Sequence, residues 1–389
     1  MKIAYLLGSL HRGGTETLLL DIFRNADHAN FEFIGIHRKD GALKNDFYAS
    51  EQKFIKLAPK FSFDISYFLK LRKLLKKENI QIAHTQMYLD ALYAKIATFG
   101  TKIKVIQTFH GFEAPLYPPK EGKFSLSRRI EGRILKFIIK KTDKNFFVSD
   151  YQKELYTKKY NLKQKKQSVV YNGISFEKID SACHCGLDPQ SLAETGNSCF
   201  SSNNAIKLGA VGNFNSVRDQ MTICRFLNLL NRQNIDFQFV FAGAKIESEA
   251  LMYDNCYNFC KENNLLEKVH FLGSRNDVPA ILKQLDAFIY STDHDTFGIA
   301  VIEAIACGTP VFVNDWAVMQ EITENGKYAN IYKTKDENDL LQKFLLFLQN
   351  KNEYIKNAEK SSIAVREKFS IKNHLSNLYV QYKFLNPKS

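Results

Sequence analysis

A chain of 389 residues exceeds what one hydrophobic core commonly serves, so two domains are expected. Its 45% apolar and 24% charged content is that of a soluble globular protein, and no apolar run reaches the ~18 residues that would span a bilayer. The net charge of +13 is unevenly placed: residues 1–170 hold 32 Lys+Arg against 16 Asp+Glu, and the remainder carries a small negative excess. That asymmetry points the first half toward anions: nucleic acid, an acidic membrane or a phosphorylated acceptor.

The N-terminus, "MKIAYLLGSLHRGG", lacks a small-residue cleavage site and reads as a first strand, not a signal peptide, which predicts a cytoplasmic protein. The strand ends in "GSLHRGGTETLLLDIF". Gly13 and Gly14 before a helix give a turn whose N–H groups can accept a phosphate, although a plain strand-to-helix turn needs the same residues. Further strand patterns follow as "FEFIGIH", "QIAHTQ", "KVIQTFH", "KNFFVS" and "SVVYNG", with helical patterns such as "ISYFLKLRKLLKKEN" between them. Alternating strands and helices argue for a parallel, doubly wound sheet. His110, between an apolar strand and Gly111, should project from the sheet end, where ligands of such sheets sit. "RRIEGRILKFIIKK" sets Arg129, Arg133, Lys136 and Lys140 at helical spacing beside Ile130, Ile134, Phe137 and Ile138. That mixture suits either a solvated face over ordinary core or a helix lying on an anionic membrane.

The segment 181–204, "SACHCGLDPQSLAETGNSCFSSNN", holds three of the seven cysteines. Cys183, His184, Cys185 and Cys199 are too cramped for the usual zinc spacing, and a disordered insertion between domains is the simpler expectation. The alternation then restarts with "IKLGAVGNF", "FQFVFAG", "KVHFLG", "AFIYS" and "PVFVND". The expected domains are 1–175, a linker over 176–205, 206–370, and a C-terminal helix over 371–389 that packs back on the first.

In "GAVGNFNSVRDQ", Arg218 sits where a strand and a glycine meet a helix start, an arrangement that would hold one anion. "HDTFGIAVIEAIACGTPVF" places Glu303 among aliphatics, on a helix stopped by Gly308 and Pro310, with Asp295 and Thr296 as candidate caps. A carboxylate there must reach water, a partner or a ligand, and a ribose diol would satisfy it. No dinucleotide or P-loop glycine signature occurs, which argues against a dehydrogenase or a P-loop NTPase.

With "GGTE", "TFHG", "VSDYQKELY", "VVYNGI", "VGNFNSVRD", "VHFLGSRNDV" and "DTFGIAVIEAIACGTPV" in order, the chain resembles the retaining glycosyltransferases of family 4, with GT-B architecture. The resemblance implies two Rossmann-like, doubly wound parallel-sheet α/β domains facing across a cleft. It implies sugar transfer from a nucleotide-diphosphate sugar to a hydroxyl of a glycan or lipid-linked acceptor, with retained anomeric configuration, in cell-surface polysaccharide synthesis. Glu303 would hold the donor ribose, and Asp295 with the N–H groups of Phe297 and Gly298 would face the donor sugar. Arg218 would clamp the pyrophosphate, and Asn213 stands where the family has an arginine. His110 would lie near the reacting sugar, Gly13 and Gly14 near the phosphates, and Leu272, Gly273 and Val278 beside the base. The implied catalytic set is therefore His110, Arg218 and Asp295. No cofactor and no metal are expected, because arginine and amides would neutralise the leaving group, and the donor phosphate would accept the acceptor proton. Asp295 as a covalent nucleophile is the alternative. Partners would include an anionic membrane surface, through the basic half, and no nucleic acid. A non-catalytic nucleotide-sugar binder and a nucleic-acid binder remain rival readings.

Overall fold

The structure, a computed structural model, describes residues 1–61, 64–112, 126–184, 200 and 205–386. The chain forms two compact units, Met1–Ile174 with Ile371–Ser389, and Ser175–Ser370.

Among the described residues, the first unit has one parallel sheet of β1 (Lys2–Ser9), β2 (Glu32–Lys39), β3 (Lys53–Lys56), β4 (Ile82–Thr85), β5 (Lys104–Phe109), β6 (Lys144–Phe147) and β7 (Gln167–Val169). Their order is β3-β2-β1-β4-β5-β6-β7. The central strands are buried on both faces, Ile3 to Leu7 without a break, which is why they read as continuous apolar runs. The sequence reading passed over β3. Its "KFIK" holds two half-buried apolar residues between exposed lysines, the mark of a short edge strand kept from further pairing.

Helix Gly14–Arg24 packs Leu18, Leu19, Ile22 and Phe23 on one sheet face. The C-terminal helix Ile371–Leu385 joins the same core through Leu375, Leu378 and Tyr382. Tyr379 stacks on Phe31 at 4.1 Å, and Ile371 N–H bonds Ile174 O at 3.0 Å where the chain re-enters the unit.

The second unit repeats the plan with β8 (Ile206–Val211), β9 (Phe237–Ala242), β10 (Val269–Gly273), β11 (Ala287–Tyr290), β12 (Val311–Asn314) and β13 (Asn330–Tyr332). Their order is β10-β9-β8-β11-β12-β13, all pairs parallel. Phe226, Phe239, Phe312, Phe344 and Phe347 fill its core.

The expected linker over 176–205 needs correction. Its first residues form helix Glu177–His184. Phe176 and Ile179 are buried, and Asp180 Oδ1 accepts from Arg366 Nη1 at 2.6 Å. Apolar anchoring and an ion pair bind this piece to the second unit. The zinc and disorder readings of the cysteine-bearing segment fall largely on 185–199 and 201–204, outside the described residues.

Candidate functional site

In the second unit, the loop after β8 and the loop after β11 are laced together. Arg218 and Thr292 form an antiparallel bridge, Asp293 N–H bonds Val217 O at 3.1 Å, and Thr292 Oγ1 donates to the same carbonyl at 2.7 Å. Asn314 clamps Thr292 from below through both amide atoms, its Oδ1 accepting at 3.0 Å and its Nδ2 donating at 2.8 Å. The lacing brings two residues 77 positions apart into contact: Arg218 Nη1 lies 2.7 Å from Asp295 Oδ2, with both side chains less than a fifth exposed.

Tyr290, the last residue of β11, completes the group. Its ring lies 4.6 Å from the Arg218 guanidinium carbon, and its hydroxyl donates to Asp295 Oδ2. A guanidinium over a phenol face gains from the ring quadrupole as well as from the carboxylate. Gly212 (φ +147°) makes the arrangement possible, because a Cβ there would sit 3.2 Å from Arg218 Nε. Trp316 Nε1 fixes the Asp295 carbonyl at 2.8 Å.

The helix start differs from expectation. Neither Asp295 nor Thr296 caps it; Gly298, in a left-handed conformation (φ +83°), precedes helix Ile299–Ala306 and makes no side-chain cap. Asp295 Oδ1 instead accepts the Phe297 N–H at 3.2 Å, so that amide is engaged by the protein itself. The Phe297 ring belongs to the core, edge-on to Phe369 at 5.6 Å. Glu303, in the second turn, is half-buried between fully buried Ile302 and Ala304. Gly308 (φ +78°) ends the helix, and Arg366 Nε and Ser362 Oγ both donate to the Ala306 carbonyl.

Asn213 also has a structural contact. Its Oδ1 accepts Ala244 N–H at 2.9 Å, tying the ends of β8 and β9. Leu272 and Gly273 end β10, with Gly273 at φ +66° beside a register shift, and Val278 opens the next helix. The strand order puts them on the carboxyl edge that carries Arg218, two strands from β8.

In the first unit, His110 follows β5, and its Nε2 lies 2.7 Å from Gln86 Oε1 at the end of β4. Burial, helped by nearby His374, lowers its pKa to about 3, so the ring is neutral at ordinary pH. Gly13 is extended (φ −158°) and caps helix Gly14–Arg24. A Cβ there would lie 2.6 Å from Glu16 Oε2, the movable end of a side chain that reaches over the turn. The Glu16 carboxyl, raised above its ordinary pKa by burial, sits over the turn that the sequence reading gave to a phosphate.

Sequence reasoning missed Tyr290, Gln86 and Glu16. Only a strand-end aromatic ahead of an acid could have flagged Tyr290. Among the described residues, no group of three His, Cys, Asp or Glu side chains could hold a metal ion, and no helix is long and apolar enough to cross a membrane.

Two family descriptions match: "Glycosyltransferase Family 4" over residues 12–178 and "Glycosyl transferases group 1" over residues 200–362. This chain belongs to the family 4, group 1 glycosyltransferases. The chain is 25% identical over 322 residues, 81% of its length and 79% of the other's, to the UDP-Gal:alpha-D-GlcNAc-diphosphoundecaprenol alpha-1,3-galactosyltransferase of Escherichia coli. A solved glycosyltransferase from Rickettsia africae ESF-5 superposes with a TM-score of 0.84 at 18% identity, over 100% of this chain and 99% of that one. Anabaena Alr3699/HepE, solved with UDP and glucose, gives 0.81 at 16% identity, over 98% and 99%. At such identities the solved structures establish the fold, which is GT-B.

Proposed function

We propose that this glycosyltransferase moves a sugar from a uridine diphosphate sugar to a hydroxyl of a lipid-linked glycan, keeping the anomeric configuration and using no metal ion, in surface polysaccharide synthesis. The observation that carries this reading is the Arg218–Asp295 contact of 2.7 Å, beside the turn that opens helix Ile299–Ala306. Arg218 and Asp295 neutralise each other. A donor diphosphate would draw Arg218 away and leave Asp295, still held by Tyr290, to face the sugar. Charge developing on the departing diphosphate would meet Arg218 and the helix N-terminus, which need little reorganisation. In the step itself the C1–O bond to the diphosphate breaks and the C1–O bond to the acceptor forms on the same face. The acceptor proton passes to a leaving phosphate oxygen. Glu303 would take the ribose hydroxyls, Leu272, Gly273 and Val278 would border the base, and neutral His110 would hydrogen-bond the sugar without competing for the proton. The printed donor and acceptor of the Escherichia coli relative, and the UDP in the Anabaena structure, support the choice of nucleotide and acceptor class.

The first unit would supply a membrane contact. On helix Leu126–Lys141, exposed Ile130 and Phe137 alternate with exposed Arg129, Arg133, Lys136 and Lys140, while Leu135, Ile138 and Ile139 are buried. Exposed Ile65 and Leu69 sit among lysines on helix Ile65–Lys77. Basic residues around exposed apolar ones suit the cytoplasmic face of an anionic bilayer.

The test is transfer from UDP-galactose, UDP-glucose and UDP-N-acetylglucosamine to a prenyl-diphosphate-linked sugar in the presence of EDTA. UDP release and a product with the donor's anomeric configuration are expected. Arg218→Gln and Glu303→Ala should each lower kcat/KM by about 100-fold or more. An inverted product, or activity only with added divalent cation, would overturn the corresponding part.

A further inference from the structure

The carboxyl edge of the first sheet carries a cation that the transfer chemistry above does not use. Arg38 is the penultimate residue of β2, and the parallel register sets it beside Gly8 of β1. Its Nε lies 2.9 Å from Oδ1 of Asp90, a carboxylate only 1% exposed in the first turn of helix Tyr88–Ala97. The contact is made at one point. Asp90 Oδ2, also buried, takes no hydrogen bond, so the guanidinium fork is not closed on the carboxylate. The fork turns instead across the neighbouring strand: a Cβ on Gly8 would lie 3.3 Å from Arg38 Nη2 and 3.0 Å from Met87 Sδ. The Tyr93 ring, with its centroid 5.9 Å from the guanidinium carbon, backs the group. Arg–carboxylate pairs frequently engage both oxygens, whereas here neither Arg38 Nε nor Asp90 Oδ2 completes a hydrogen bond. This pair leaves the Arg38 side chain 20% exposed at the carboxyl end of β2.

That edge is the one that carries His110. The order β2-β1-β4-β5 puts Arg38 and His110 three strand spacings apart, roughly 14 Å. The loops that follow β1 and β2 are tied to each other. Leu10 N–H bonds Lys39 O, Leu43 N–H bonds Leu10 O, and Gly41 packs on the Leu10–His11 backbone with no room for a side chain. Exposed Arg12 and Lys39 add positive charge at the rim. A planar fork, pre-set by a buried counter-charge and a glycine gap, matches the oxygens of a phosphoryl group.

We infer that Arg38 binds a phosphoryl group of the acceptor, at a subsite separate from the donor diphosphate, with Asp90 and Gly8 holding the guanidinium in place. The word acceptor rests on the transferase reading; the anion site itself does not.

The experiment is calorimetric titration of the full chain, saturated with UDP, with inorganic pyrophosphate. Arg38→Gln should raise the pyrophosphate Kd at least tenfold, and Arg38→Lys by a smaller factor, while the UDP Kd changes less than twofold. Arg218→Gln should do the reverse. Because Arg38→Gln strands a buried carboxylate, the Arg38→Gln/Asp90→Asn double variant, checked by its melting curve, provides a folded control with the same expected loss. Farnesyl diphosphate and glucose 1-phosphate, titrated in parallel, separate a lipid-linked source from a soluble one by which of them responds to Arg38→Gln. Unchanged pyrophosphate binding in both Arg38 variants, or an equal loss for malonate, would overturn the inference. A wild-type protein that bound pyrophosphate through Arg38 but never UDP would sink the donor reading and leave this site standing.

Discussion

Asp295 serves three partners at once: its Oδ2 meets Arg218 and the Tyr290 hydroxyl, and its Oδ1 accepts the Phe297 N–H. Removing the charge while keeping the shape separates these duties. Asp295→Asn retains an oxygen for the Phe297 amide and releases Arg218 from its counter-charge. UDP affinity should therefore hold or rise a few-fold, while transfer falls by about 100-fold, because the group proposed to face the sugar has lost its charge. Equilibrium titration with UDP beside a steady-state assay checks both halves; parallel losses in the two would contradict the division. At this scale Arg218 stands out by residue type beside a strand end and a glycine, and Glu303 among aliphatics. Asp295 reads only as a candidate cap until the family resemblance gives it a place. Tyr290 does not stand out, since an aromatic at the end of a buried strand looks like core until the arginine is seen lying on it.

Elements are held to one another at their ends. Arg366 ties three pieces together: its Nε caps the helix that bears Glu303 at Ala306, its Nη1 reaches Asp180, and its guanidinium lies 5.2 Å from the Phe176 ring centroid. Arg366→Ala should cost about 1–3 kcal/mol, as a partly buried charged hydrogen-bonding group lost together with its packing. Hydrogen exchange would show the change as faster opening of Glu177–His184 and of the last turn of Ile299–Ala306, with β1 and β2 unaffected. The same contacts explain why the stretch after 175 was mistaken for linker. Its short "EKIDSACH" is polar and gains its reason to be helical only from Arg366 and the surface beneath it. The two overlooked strands, β3 and β13, lie at sheet edges and are four and three residues long, too short for periodicity to register.

Over the whole molecule three histidines of lowered pKa, buried His84 and His374 and half-buried His110, set a pH response. His84, His110 and His374 all lie in the first unit. Burial lowers the pKa of His110 to about 3 and of His374 to about 4, and holds His84 well below its ordinary value. His84 is enclosed by hydrogen bonds to the Tyr382 and Thr108 hydroxyls, both at 2.7 Å, and His374 Nδ1 meets Tyr171 O at 2.6 Å. Each ring is neutral when folded and titrates near 6.5 when unfolded, so the unfolded state binds more protons below that pH. Their contribution is complete above about pH 6.5 and is lost as pH falls toward 4 and 3. Asp90, raised to about 6 by burial against the opposing pull of Arg38, acts in the other sense with one proton. The first unit should therefore unfold ahead of the second on acidification from pH 6.5 to 4. Urea midpoints followed by signals from each unit would show it, and His374→Gln should flatten the dependence. A midpoint for the first unit that does not move over that range would refute the assignment.

The alternation of the longer strands and helices, the two-unit plan and the family were contained in the sequence, while the short edge strands β3 and β13 and helix Glu177–His184 were not. The former depend on local periodicity and on residue type next to a strand end, which need no knowledge of distant partners. What the tertiary structure decided is who meets whom. It paired Arg218 with Asp295 across 77 positions, set Glu16 over Gly13, and turned Arg38 across Gly8 from a buried carboxylate. Such contacts arise from sheet order and chain crossings. One-dimensional spacing carries no measure of the distance that strand pairing removes.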